Sequence, residues 1–145
     1  MKTLIVEGWR FCPNSFSVLN QHQLLEMLKR PDLKVYHRDL PYDASWWKWE
    51  RGLLPEADEA AIEAIPPPPT GLRADALLRI SHPYRLEPSP EAKRTFVFGT
   101  AELGIVEDLK MVGGQPARQL LPGRNVSYIT CSRFSAQGFV RSGAA

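Results

Sequence analysis

Two short apolar runs separated by an amphipathic stretch open the chain, and that order constrains the fold more than any other feature. Thr3 to Val6 (TLIV) ends at Glu7-Gly8, and from near Ser15 the apolar residues take helical spacing. Leu24, Leu25, Met27 and Leu28 fall on one side, His22, Glu26, Lys29 and Arg30 fall opposite, and Pro31 stops the helix. Leu33 to Arg38 then alternates, with Leu33, Val35 and His37 on one face. Strand, helix and returning strand make a βαβ unit, which sets the two strands parallel.

The alternation continues. Glu56 to Ala64 (EADEAAIEA) reads as a short helix, and Pro66 to Pro69 as a stiff extended connector. Ala76 to Ser81 (ALLRIS), Thr95 to Gly99 (TFVFG) and Val126 to Thr130 (VSYIT) read as interior strands. Thr100 as a cap predicts a helix over Glu102 to Met111, and Ser132 predicts one over Phe134 to Arg141 that ends at Gly143. The expected fold class is α/β: a mainly parallel, Rossmann-like sheet flanked by helices, in one domain over residues 1–145, with ligand contacts at the carboxyl ends of the strands. The chain stops just after a helix cap, without a closing strand, and so reads as a fragment.

Composition narrows the function. A chain of 145 residues, 43% hydrophobic and 23% charged, has enough apolar material for a core. The formal net charge is +2 with the charges scattered, so the field that holds a polyphosphate duplex is missing and nucleic acid is not the expected partner. Neither a signal-peptide core nor an apolar run of spanning length occurs. Cys12 and Cys131 lie far apart in sequence, which fits a reducing cytoplasm, and the spacing of His22, His37 and His82 makes no metal set. Gly-x-Gly-x-x-Gly after the first strand, Gly-x-x-x-x-Gly-Lys and Gly-x-Ser-x-Gly are all absent, which counts against dinucleotide, kinase-like and hydrolase chemistry.

The candidate residues cluster at the ends of the expected strands. The loop Gly8 to Ser15 (GWRFCPNS) brings a glycine, Arg10 and an Asn14-Ser15 cap to a helix start, which suits an anionic ligand and equally an ordinary capped helix with Arg10 in solvent. Asn20 and Gln21 project toward the apolar side of that helix, where an amide needs a strand carbonyl, a buried water or a ligand hydroxyl. His82 follows an interior strand in Arg79-Ile-Ser-His-Pro-Tyr84 and can bond a sugar hydroxyl or a phosphate, or move a proton; a structural imidazole is the alternative. Thr100 and Glu102 can orient an acceptor hydroxyl, although an acid there also complements a helix dipole. Tyr42, Trp46, Trp47 and Trp49 suit the C–H faces of sugars, a lipid, or the covering of a sheet edge. Cys131 has no histidine nearby in sequence and reads as a packed thiol.

Four segments, EGWRFCPNSFSVLNQHQLLEML, VYHRDLPY, TFVFGTAELG and YITCSRFSAQGFVRSGA, resemble in this order the N-terminal domain of family 4 glycosyltransferases, which have the GT-B fold. The resemblance spans nearly all of the chain outside the tryptophan and proline region, and the first loop lacks the family's usual Gly-Gly pair. It implies one half of a two-domain retaining enzyme that moves a hexose from a nucleotide-sugar to a hydroxyl acceptor, saccharide or lipid-linked. The nucleotide-sugar is then a substrate and no cofactor is expected. By the same resemblance the loop with Gly8, Arg10, Asn14 and Ser15 faces the donor diphosphate and His82 points at the transferred sugar as the catalytic candidate; Asn20 joins the substrate-binding candidates from its own place on the helix, not from the resemblance. Thr100 and Glu102 line the acceptor side, and Ser132 and Arg133 lie at the cleft near a linker to a C-terminal donor domain. Without that domain the chain is expected to be inactive, to expose a cleft face prone to self-association, and to work in the cytoplasm or at a membrane surface. The alternative is a non-catalytic Rossmann-like module that binds a sugar, a phosphorylated metabolite or a partner protein through Trp46 to Trp49.

Overall fold

Asn14 starts the first helix: its backbone is extended and its side chain accepts from the Ser17 N–H at 2.8 Å, satisfying a donor that no helical carbonyl reaches. In the computed structural model, which describes residues 1–145, the first unit comprises β1 (Lys2–Gly8), α1 (Ser15–Leu28) and β2 (Leu33–Asp39). There follow α2 (Glu56–Glu63), β3 (Ala76–Ile80), β4 (Thr95–Phe98), the short α3 (Ala117–Leu120), β5 (Ser127–Ile129) and α4 (Arg133–Arg141). All four strand pairings are parallel and the order across the sheet is β2-β1-β3-β4-β5. The fold is α/β and Rossmann-like, and the order reverses at β1 and β3, where doubly wound sheets open a crevice.

Period-two alternation sorts the strand residues onto two faces. Leu4, Val6, Val35, Leu78, Ile80 and Phe98 pack with Leu24 of α1 and with Ile62 and Ile65 at α2. On the opposite face Ile5, Tyr36 and Leu77 meet Ala74, and Val97 joins Tyr84, Met111, Leu121 and Phe139 of α4. That second face also carries charge. Glu7 lies between Arg38 and Arg79, with oxygens 2.7 and 3.1 Å from their guanidinium nitrogens, and Glu91 holds the other side of Arg38. After α2 the proline run passes the free edge of β2, where the Pro66 carbonyl accepts from the His37 N–H at 3.0 Å.

Three expectations need correction. Cys131, expected to be a packed thiol, is exposed. No α-helix forms over Glu102 to Met111; the segment is turns followed by a 3-10 turn at Asp108–Lys110. Gly104 there has φ +75°, and its carbonyl is taken by Arg141 Nε of α4 at 2.7 Å, so contacts with α4 replace helical bonds. Leu28 is 43% exposed rather than part of the buried side of α1, whose fully buried residues are Ser17, Asn20, Gln21 and Leu24. The α4 boundary agrees with the pattern: the Ser132 side chain caps it by accepting from Ser135 N–H at 3.1 Å. No helix is long and apolar enough to cross a membrane.

Candidate functional site

The carboxyl ends of β1, β2 and β3 surround a recess of about 240 Å³. Trp9 follows β1, Leu40 to Asp43 follow β2, and Ser81 to Arg85 follow β3, so it lies at the point where the strand order reverses. Trp9 is held as a wall: its ring is buried, its Nε1–H donates to the Pro41 carbonyl at 2.8 Å, and Trp47 stacks edge-on at 5.0 Å. Trp49 similarly covers Phe11, with ring centroids 4.5 Å apart, whereas Trp46 is 78% exposed. Trp47 and Trp49 thus lie against the β1–α1 loop, although Tyr42, Trp46 and Trp49 all keep exposed surface.

His82 lines the recess and is half-buried, between the rings of Phe16 and Tyr84. Burial pushes its imidazole below the ordinary value; the carboxylates of Asp43 and Glu102 pull the other way, and the Lys110 ammonium adds to the lowering. A ring that stays neutral near pH 7 can accept a proton or a hydroxyl hydrogen bond. At the end of β4, Thr100 Oγ1 donates to Glu102 Oε1 at 3.0 Å and accepts from Lys110 Nζ at 3.2 Å. The Tyr84 hydroxyl accepts from the Thr100 N–H at 2.8 Å and fixes that turn. Hydrogen bonds from Thr100 and Lys110 hold the Glu102 carboxyl below the usual carboxylate range. Lys110 is itself 8% exposed, with Glu102 and Glu107 nearby. Sequence reasoning missed it, because the expected helix placed it as one more cation on a helical surface.

The structure turns Arg10 and Asn20 inward, away from the recess. Arg10 grips Asp39 with two nitrogens and donates its third to the Ile62 carbonyl at 2.8 Å, so it ties the loop to β2 and α2 rather than presenting a free guanidinium. Asn20 Nδ2 donates to the Trp9 carbonyl at 2.9 Å and lies 2.8 Å from His37 Nε2. A carbonyl only accepts, so the amide nitrogen is the atom facing Trp9, and His37 Nε2 is therefore the unprotonated ring atom. Its Nδ1–H then faces Asp39 Oδ1 at 3.3 Å. Asn14 and Ser15 stay at the start of α1, and Asn14 Nδ2 also reaches Cys12 Sγ at 3.2 Å. Gly8 closes β1 beneath Asn20. Ser132 and Arg133 sit exposed at the start of α4, beyond β5, about 10 Å across the sheet from β3. The structure thus brings together His82, Thr100 and Glu102, and the first turn of α4, which Ser132 and Arg133 open, packs on the same loop, where Ser135 Oγ accepts from the Ala101 N–H at 3.1 Å.

The buried chain carries a pH dependence. Burial pushes His37 below its ordinary value, against the pull of Asp39. For Asp39 burial alone would raise the carboxyl, but His37 and Arg10 hold it well below the usual range. Both folded-state values are depressed, so both groups contribute stability that is present above the unfolded value and lost as pH falls toward the folded one. Stability is expected to fall first below about pH 6.5, where His37 of the unfolded chain takes a proton that the folded one refuses, and again below about pH 4, where Asp39 does the same. Urea midpoints between pH 7.5 and 5 check this, and His37→Gln should flatten that first decline; an unchanged slope would show that another group carries it.

No cluster of three or more His, Cys, Asp or Glu is placed to hold a metal ion. Comparison with protein-family models, with curated proteins and with solved structures gives no match.

Proposed function

We propose that the chain is the acceptor-side domain of a retaining GT-B glycosyltransferase, holding a hydroxylated acceptor in the recess above β1 while a separate domain supplies the nucleotide-sugar. The observation that carries this reading is the recess itself. An imidazole kept neutral by burial and the Asp43 carboxylate converge at the strand ends beside the Pro41 and Pro83 rings, a combination suited to the hydroxyls and C–H face of a sugar. The sequence resemblance supports the same reading. In it His82 orients the acceptor hydroxyl, and the Thr100–Glu102–Lys110 group sets the polarity of the adjoining wall. Catalysis by such a domain is positional, with the attacking oxygen held for same-face attack and the departing diphosphate steadied elsewhere. Two unpaired cysteines fit a reducing cytoplasm as its place of work.

Tryptophan fluorescence gives the test, because Trp9 lines the recess. Simple glycosides should quench or shift it saturably, UDP-, GDP- and ADP-sugars should bind feebly, and His82→Ala should weaken glycoside binding about tenfold. A folded protein that binds neither class would favour the second reading, a partner-binding module, to which the exposed Trp46 ring lends support.

A further inference from the structure

A second recess, of about 310 Å³, opens between α1 and the 50–53 segment and shares no lining residue with the one above β1. Its wall includes Gln21, which is 2% exposed. The hydrogen bonds around Gln21 go elsewhere: Cys12 N–H to Ser17 Oγ, Asn14 Nδ2 to Cys12 Sγ, and Asn20 Nδ2 to the Trp9 carbonyl. No protein group bonds the Gln21 carboxamide, and its polar atoms are not among those sealed in the interior without a partner, so they remain reachable from the recess. Pro13, Val18 and Leu53 supply apolar walls. At the mouth Glu50 joins Arg51, whose guanidinium is already shared between Glu59 and Glu63. One cation therefore stands against three carboxylates, and the field there repels anions.

We propose that this recess is a binding site for a small, neutral, planar molecule with an amide-type edge. Adjacent N–H and C=O groups on the ligand pair with the oxygen and nitrogen of the Gln21 carboxamide while its flat body fills the space between Pro13, Val18 and Leu53. The volume admits a single substituted ring. The site is independent of the glycosyl-acceptor reading.

Nicotinamide and nicotinate are the probes, since they share a shape and differ in charge and in the amide donor. Saturation-transfer NMR on the full chain should show saturable binding of nicotinamide, with nicotinate at least about tenfold weaker. Nicotinamide should also slow alkylation of Cys12, which lines the recess, while leaving the exposed Cys131 unaffected. Gln21→Leu should abolish nicotinamide binding and leave the thermal midpoint equal or higher, because the amide it removes bonds no protein group. His82→Ala should leave nicotinamide binding unchanged, which separates failure here from failure of the acceptor reading. Absence of binding, equal binding of the two probes, binding retained in Gln21→Leu, or a lowered midpoint in that variant would each overturn the proposal.

Discussion

Asp39→Ala is expected to lower the unfolding free energy by about 3 kcal/mol, seen as a fall in the urea midpoint at unchanged m-value. The Arg10 side chain is 9% exposed, against 48% for Asp39, so deleting the carboxylate strands a buried guanidinium with only the Ile62 carbonyl for company. It also leaves the His37 Nδ1–H facing nothing. The reverse deletion is milder. Arg10→Met frees a half-exposed carboxylate to water, and its expected cost is about 1 kcal/mol. The double variant Arg10→Met, Asp39→Ala should recover much of the loss, because no charge is then left unpaired in the interior. Equal losses in the two single variants would show that water reaches Arg10 and that the asymmetry is not real.

Gly8→Ala is expected to cost about 2–3 kcal/mol and to disturb the recess as well. A Cβ at Gly8 would stand 2.7 Å from the Ile80 carbonyl oxygen and 3.0 Å from Asn20 Nδ2. The first is backbone of the neighbouring strand, and the second is pinned by its bonds to Trp9 and His37, so neither yields cheaply. Relief comes from moving Trp9, the residue after Gly8 and a wall of the recess. Glycoside binding should therefore weaken together with the urea midpoint. A variant as stable as the parent would mean that α1 can retreat from the sheet.

The strand pattern was readable because burial on both faces leaves short, dense apolar runs, and β1, β3 and β4 differ from their expected bounds by two residues or fewer at either end. What the pattern concealed was polar burial. Arg10 pairs with Asp39, and Asn20 Nδ2 bridges the Trp9 carbonyl and His37 Nε2 while Asn20 Oδ1 stays without a partner, and spacing along one chain does not reveal such contacts. The loop after β4 misled for the same reason: its apolar residues have helical spacing, yet Gly138 lets α4 approach so closely that a Cβ there would lie 2.5 Å from Ala101 Cβ. His82 was legible from its place after an interior strand. Lys110 and Asp43 were not, because a tertiary fold alone brings them toward it.

The run Pro66 to Pro69 also bears on how the molecule meets others. A parallel sheet can grow by accepting a strand at either margin, and such additions seed aggregation. On the β2 side the margin is already occupied by a carbonyl from a segment with no N–H groups to continue a ladder. On the β5 side it offers only Ser127–Ile129, too short a template to hold a foreign strand. Both margins are thus poor templates for an added strand, which favours recruitment through side chains over shared backbone.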